Sequence, residues 1–138
     1  MRSLRILQAV TLAGLLTVSA TVPAQSGMGK YQQLYANGSV ETLSGTIQSV
    51  DLVVPPGVKT QAVYVSLQTE KGIVPVQLGP EWFVKKLDTR IEKGDRIEVT
   101  GSRIVIEGKS LMLAAQIRKG AQTIVFRSGT GVPVWSGQ

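Results

Sequence analysis

From residue 40 onward, apolar and polar positions alternate with the two-residue period of half-buried strands. In the first such stretch Leu43, Gly45 and Ile47 share one parity, while Val50 and Leu52 take the other. A slip of one residue near Gln48-Ser49 predicts a β-bulge that bends a long first strand, which Pro55-Pro56-Gly57 then closes. Residues 62–69 place Val63, Val65 and Leu67 inward and Tyr64, Ser66 and Gln68 outward. Glu70-Lys71-Gly72 predicts a hairpin turn into residues 73–78, with Val74, Val76 and Leu78 inward and Ile73, Pro75 and Gln77 outward. Pro75 has no N–H for a ladder, so this strand is expected to lie at an edge or gap.

Residues 80–87 predict the one convincing helix. Pro80 suits the first position, Glu81 the positive end, and Lys85 and Lys86 the last turn. Trp82 and Phe83 are expected to point from it into the core. Glu92-Lys93-Gly94-Asp95 is a turn, followed by strands over 96–106, 111–117 and 123–127, the first two joined by Glu107-Gly108-Lys109. A long bent strand, a hairpin, a short helix and two further strands is the element order of the OB-fold, a five-stranded, partly open Greek-key barrel. The fold class is therefore all-β and OB-fold-like, with one short helix between strands three and four. A β-sandwich is the alternative, and the helix after the third strand speaks against it.

The residues before 40 do not follow this pattern. Residues 1–24 have Arg2 and Arg5, then a short apolar stretch, then small residues ahead of a cut after Ala24, which is the form of a cleaved secretory signal peptide. The apolar run is shorter than the ~20 residues of a spanning helix. Residues 25–39 form a polar, flexible lead-in with Tyr31 and Tyr35 and a helical turn over 31–36, and residues 40–138 form one domain. The expected location is periplasmic or secreted.

Composition narrows the chemistry. The 138 residues include no Cys and no His. Disulfides, thiolate nucleophiles, thioether-bound haem, imidazole bases and Cys- or His-ligated metals are thereby excluded. The formal charge of +6 falls by two when Arg2 and Arg5 leave with the signal peptide. Asp51, Asp88 and Asp95 are scattered, so no calcium cluster is expected. Glu81, Glu92, Asp95 and Glu98 sit where helix, turn and strand already explain them. The sequence predicts no enzyme, no metal and no cofactor.

Several runs carry a resemblance. Gln77-Leu78-Gly79-Pro80-Glu81-Trp82, the stretch Lys93-Gly94-Asp95-Arg96-Ile97-Glu98-Val99-Thr100-Gly101-Ser102-Arg103, and the ending Phe126-Arg127 with Gly131-Val132-Pro133-Val134-Trp135 are similar to small exported bacterial OB-like proteins. These share the domain of the magnetosome proteins MamS and MamX. The resemblance spans about residues 40–137 and implies an envelope or magnetosome-like assembly. The Cys-x-x-Cys-His haem segments of the MamX type cannot occur in a chain without Cys, so no redox role is carried over.

The leading functional expectation is a non-catalytic binding or adaptor module with a protein partner. Its candidate contact residues are Tyr64, Ile73 and Gln77 on the outward face of strands two and three, together with Arg127 and Trp135. Arg127 is read either as an anion partner or as a solvated strand-end arginine, Trp135 either as a cover for an open edge or as an exposed contact. The alternative is an OB-fold that binds nucleic acid or oligosaccharide. Against nucleic acid, the outward face of strands two and three has one aromatic residue and no Lys or Arg.

Overall fold

The computed structural model describes residues 27–136. The proposed signal peptide lies outside them. The elements are α1 (Gly27–Asn37), β1 (Ser39–Val53), β2 (Ala62–Thr69), β3 (Gly72–Pro80), α2 (Glu81–Val84), β4 (Arg96–Ile106), β5 (Lys109–Lys119) and β6 (Gln122–Val125). The described residues are all-β apart from the two helices.

The strands hydrogen-bond in the order β3-β2-β1-β4-β5-β6, and β3 also pairs with β5. That extra pairing is parallel and covers only Val76–Met112 and Gln77–Leu113. It joins β1, β2, β3, β5 and β4 into a closed circuit, and β6 pairs with the end of β5, at Gln116–Lys119, on the side away from β4. The expected bulge is present: the β1–β2 register shifts between Ile47 and Ser49. Here β1 also exchanges partners, pairing with β4 up to Thr46 and with β2 from Thr46 onward. Beyond the bulge β1 has a strand on one side only among the described residues, and Val50 and Leu52 are exposed there although their parity marks an apolar face.

The main core gathers Ile47, Val65, Leu67, Val76, Leu78, Val99, Met112 and Ile117. All but Met112 are positions that alternation marks as inward; Met112 has the opposite parity to Leu111, Leu113, Ala115 and Ile117, and the first three of these pack instead in a second cluster. This smaller cluster joins Tyr31 and Tyr35 of α1 to Ile104, Leu111 and Leu113. The helical turn expected over 31–36 is thus part of an 11-residue helix whose two tyrosines are fully buried. Ser102 Oγ, itself buried, donates to the Tyr35 carbonyl at 2.8 Å and pins the helix end to β4.

The helix expected over 80–87 is shorter than its sequence suggests. Lys85 N–H reaches the Glu81 carbonyl at 2.9 Å, but Lys86 and Leu87 bond three residues back, to Phe83 and Val84, so the helix tightens after one turn. Phe83, Val84 and Leu87 still pack on the core. Trp82 does not: it is 39% exposed, because one tight turn carries it to the outer side of the segment.

The loop before β4 is tied to the bulge by paired main-chain bonds. Ile47 N–H donates to Asp95 O at 2.9 Å, and Gly94 N–H to Ile47 O at 2.8 Å. Lys119 Nζ meets Asp95 Oδ2 at 2.9 Å, and the same oxygen accepts the Glu92 N–H at 2.8 Å. Those two bonds hold the Asp95 carboxyl below the usual carboxylate range, Lys119 contributing most.

Candidate functional site

Two concave surfaces result. The first is a cavity of about 100 Å³ where α1, the β1–β2 connection, the end of β3, Trp82 and the C-terminal tail converge. The tail reaches it by turning back after β6. Val134 N–H donates to Phe126 O at 3.0 Å, Ser128 N–H to Val132 O at 2.8 Å, and Arg127 bridges to Pro133. This turn requires Gly131, whose φ of +91° suits glycine and whose Cα faces the Tyr35 ring so closely that an added Cβ would sit 2.8 Å from Cδ1. The helix expected to be a lead-in therefore forms one wall of the cavity, held also by Tyr31 Oη, which donates to Pro56 O at 3.0 Å.

Arg127 and Trp135 line this cavity, and each is only 5% exposed. The solvated strand-end reading of Arg127 is thereby overturned: the returning tail covers it. Its guanidinium carbon lies 5.3 Å from the Trp135 ring centroid, and Nη1 donates to the Gly131 carbonyl at 3.0 Å. Its Nε has no acceptor, and neither has Trp135 Nε1, although both atoms are buried. Among the described residues no carboxylate pairs with Arg127. Burial lowers its pKa to about 10 against a smaller opposing influence of Tyr35 and Tyr31. Trp135 in turn packs on Phe83, with centroids 5.3 Å apart, and Phe83 on Phe126 at 6.1 Å.

Gln77 also lines the cavity and is buried, contrary to its expected outward position. The β2–β3 register shifts between Val63 and Tyr64, so Leu78 is the extra residue there, and this end of β3 also pairs with β5. Tyr64, half-buried, donates its hydroxyl to Gln77 Oε1 at 3.0 Å. Burial pushes its pKa up to about 12. Gln77, Arg127 and Trp135 are thus brought together, with Tyr64 behind Gln77.

Ile73 is not part of this group. It is 56% exposed and lines the second surface, a broad groove of about 700 Å³. The groove walls include Leu43 and Val74, the acids Glu41 and Glu70, and the bases Lys71, Arg96 and Arg103. Arg103 pairs with Glu41 at 3.2 Å. On its side away from β2, β3 meets β5 only at Val76 and Gln77, so Gly72–Pro75 has no neighbouring strand there among the described residues. Pro75 lies in this open half, as its missing N–H leads one to expect.

Tyr31, Tyr35, Gly79 and Gly131 are the site residues that strand periodicity does not reveal. The two tyrosines stand four apart, one helical turn, and that spacing is their only local signal. No helix among the described residues is long and apolar enough to cross a membrane. A family model described as the MamS/MamX magnetosome protein family matches residues 39–124. The match runs from the first residue of β1 into β6 and stops short of Arg127 and Trp135. No curated protein matches the chain.

Proposed function

This chain belongs to the MamS/MamX magnetosome protein family, and on that premise we propose that it is a non-catalytic protein-binding module of a magnetosome-associated assembly, acting outside the cytoplasm after removal of residues 1–24. The closed circuit of β1, β2, β3, β5 and β4, with α2 inserted between β3 and β4, supports reading the scaffold as an OB-fold-type barrel. Such a scaffold holds an edge and a groove in fixed positions.

The half-open edge of β3 carries this reading. Gly72–Pro75 offers main-chain groups on a side where no strand pairs among the described residues, Ile73 projects beside them, and the groove continues past Leu43 and Val74. An extended peptide adding to such an edge gains main-chain hydrogen bonds and places alternate side chains in the groove. The groove displays both signs of charge, which suits a mixed peptide better than a polyanion. Nucleic acid would instead ask for a basic groove with stacking aromatics.

Substituting Ile73→Ser tests the edge, since this exposed side chain contributes little to the core. Partner recovery from envelope extract falls in the variant if the edge is used; unchanged recovery rejects this face. Oligonucleotide affinity that drops steeply with added salt would favour the nucleic-acid reading instead.

A further inference from the structure

We infer that the free half of β1 pairs with the same strand of a second copy of this chain, across a two-fold axis at Leu52. The observation is an unpaired apolar edge. Ile47 still gives both of its main-chain groups to the loop before β4, at Gly94 and Asp95. From Ser49 to Val53 only β2 pairs with β1 among the described residues. Along this stretch Val50, Leu52, Val53 and Val54 are each at least 39% exposed, and no other run of five described residues exposes as many large apolar side chains. Open edges are ordinarily blunted by proline, by lysine or by shortness. The open half of β3 holds Pro75, and β6 is only four residues long. Residues 49–54 hold no Pro, Lys or Arg, and their one charge is Asp51.

The edge is complementary to itself. A strand that pairs with its own copy about a two-fold axis does so antiparallel, each residue meeting its counterpart in both directions. With Leu52 on the axis, Leu52 faces the partner's Leu52, Val50 faces the partner's Val54, and Asp51 faces the partner's Val53. Val50 and Leu52 of both copies then share one face of a sheet that runs through the pair. The ladder stops at Pro55, which has no N–H to give. An axis at Asp51 would instead set two carboxylates directly opposite each other, an arrangement that destabilises antiparallel pairs. Charge also favours a second copy over a foreign strand. Asp51 and Lys59, the one charged residue of the connection over 54–61, are both exposed, and neither is in an ion pair among the described residues. The antiparallel ladder brings each Asp51 to the end where the partner's connection leaves its strand, so opposite charges gather at both ends. The groove beside Ile73 includes no residue of 49–54. This contact is therefore separate from the β3 edge, and the dimer displays two such edges.

The test is the mass of the full chain, as its own cells process it, measured by light scattering over a wide range of concentration. The mass should rise to twice that of one chain. Leu52→Lys sets two like charges face to face on the axis and should raise the dissociation constant at least about tenfold. Val105→Lys, at an exposed position of β4, should leave it unchanged. Because the chain has no cysteine, a single introduced one reads the register. Leu52→Cys should give a disulfide-linked dimer on mild oxidation, since residues opposite each other stand about 4.5–5.5 Å apart at Cα, within disulfide reach. Asp51→Cys should not, because its two copies lie diagonally across the axis, about 7–8 Å apart. A dimer untouched by Leu52→Lys, or one that crosslinks through residue 51 and not through 52, overturns the proposal. So does a monomer at every concentration: slow alkylation of the Leu52→Cys thiol then assigns the edge to the chain's own residues 1–26, and fast alkylation assigns it to a different partner. The mass is read on the unmodified chain, so it decides the question even if Leu52→Lys does not fold.

Discussion

Gly79 lies directly beneath the indole of Trp135. A Cβ built on Gly79 would stand 2.9 Å from Cζ3 and 3.0 Å from Cη2 of the ring. The bareness of this β3 position is what lets the returning tail lie down on the end of the sheet. Gly79→Ala should therefore cost about 1–3 kcal/mol, the range for forcing a methyl group into a packed site. It should also move the Trp135 indole resonance. Gly129→Ala, with nothing within 4 Å of the added carbon, is the matched control and should be near neutral in urea unfolding.

The tail is fixed from its other side by α1. Gly131→Ala combines an unfavourable φ of +91° with a collision on Tyr35, so it should destabilise more than Tyr31→Phe. The latter deletes only the bond to Pro56 O and should cost about 1 kcal/mol. Paired unfolding curves check the ranking.

Legibility in the sequence followed the reach of the pattern. Strand alternation depends on neighbours two residues apart, so β1 to β5, the bulge after Ile47 and most of the core could be read from the chain. Gln77 was misplaced because a register shift at Leu78 and the pairing with β5 come from partners distant in sequence. Arg127 looked like a solvated strand end because its cover, the turn through Gly131 to Trp135, depends on a glycine that must accommodate a tyrosine nearly a hundred residues earlier. Trp82 looked internal because the helix seemed to continue through Leu87, whereas it tightens after one turn. Local spacing holds none of this information.

Acid should weaken the loop that buttresses the bulge. The Asp95 carboxyl titrates below its ordinary value, chiefly through its bond to Lys119. A depressed folded-state pKa means the unfolded chain takes up the proton first, so the contribution is complete above about pH 4 and is lost as pH falls through the folded value. Asp95→Asn should cost about 1 kcal/mol at pH 7 and flatten the acid limb of a stability–pH curve.

Alkali should reveal the buried phenols. Burial raises the pKa of Tyr31 and Tyr35, and that of Tyr64 to about 12. Above about pH 10 the unfolded chain loses phenolic protons that the folded chain retains, for Tyr64 up to about pH 12, so these groups stabilise fully below pH 10 and lose that contribution as pH rises. Arg127 acts in the opposite sense over the same range, since its folded pKa of about 10 lies below its unfolded value. At pH 10.5, an ordinary tyrosine being mostly ionised, the native protein should show less phenolate absorbance at 295 nm than the unfolded chain, and adding denaturant should increase it.

The most direct measurement is photo-crosslinking in the native cells, with a diazirine side chain installed at position 73 and, for comparison, at position 105. Both positions are exposed, at 56% and 62%, but only the first borders the unpaired half of β3. A partner that adds to this edge gives discrete protein adducts from position 73 and none of the same mass from position 105. Identical adducts from both positions, or none from position 73, would contradict the assignment of the Gly72–Pro75 edge as the working surface.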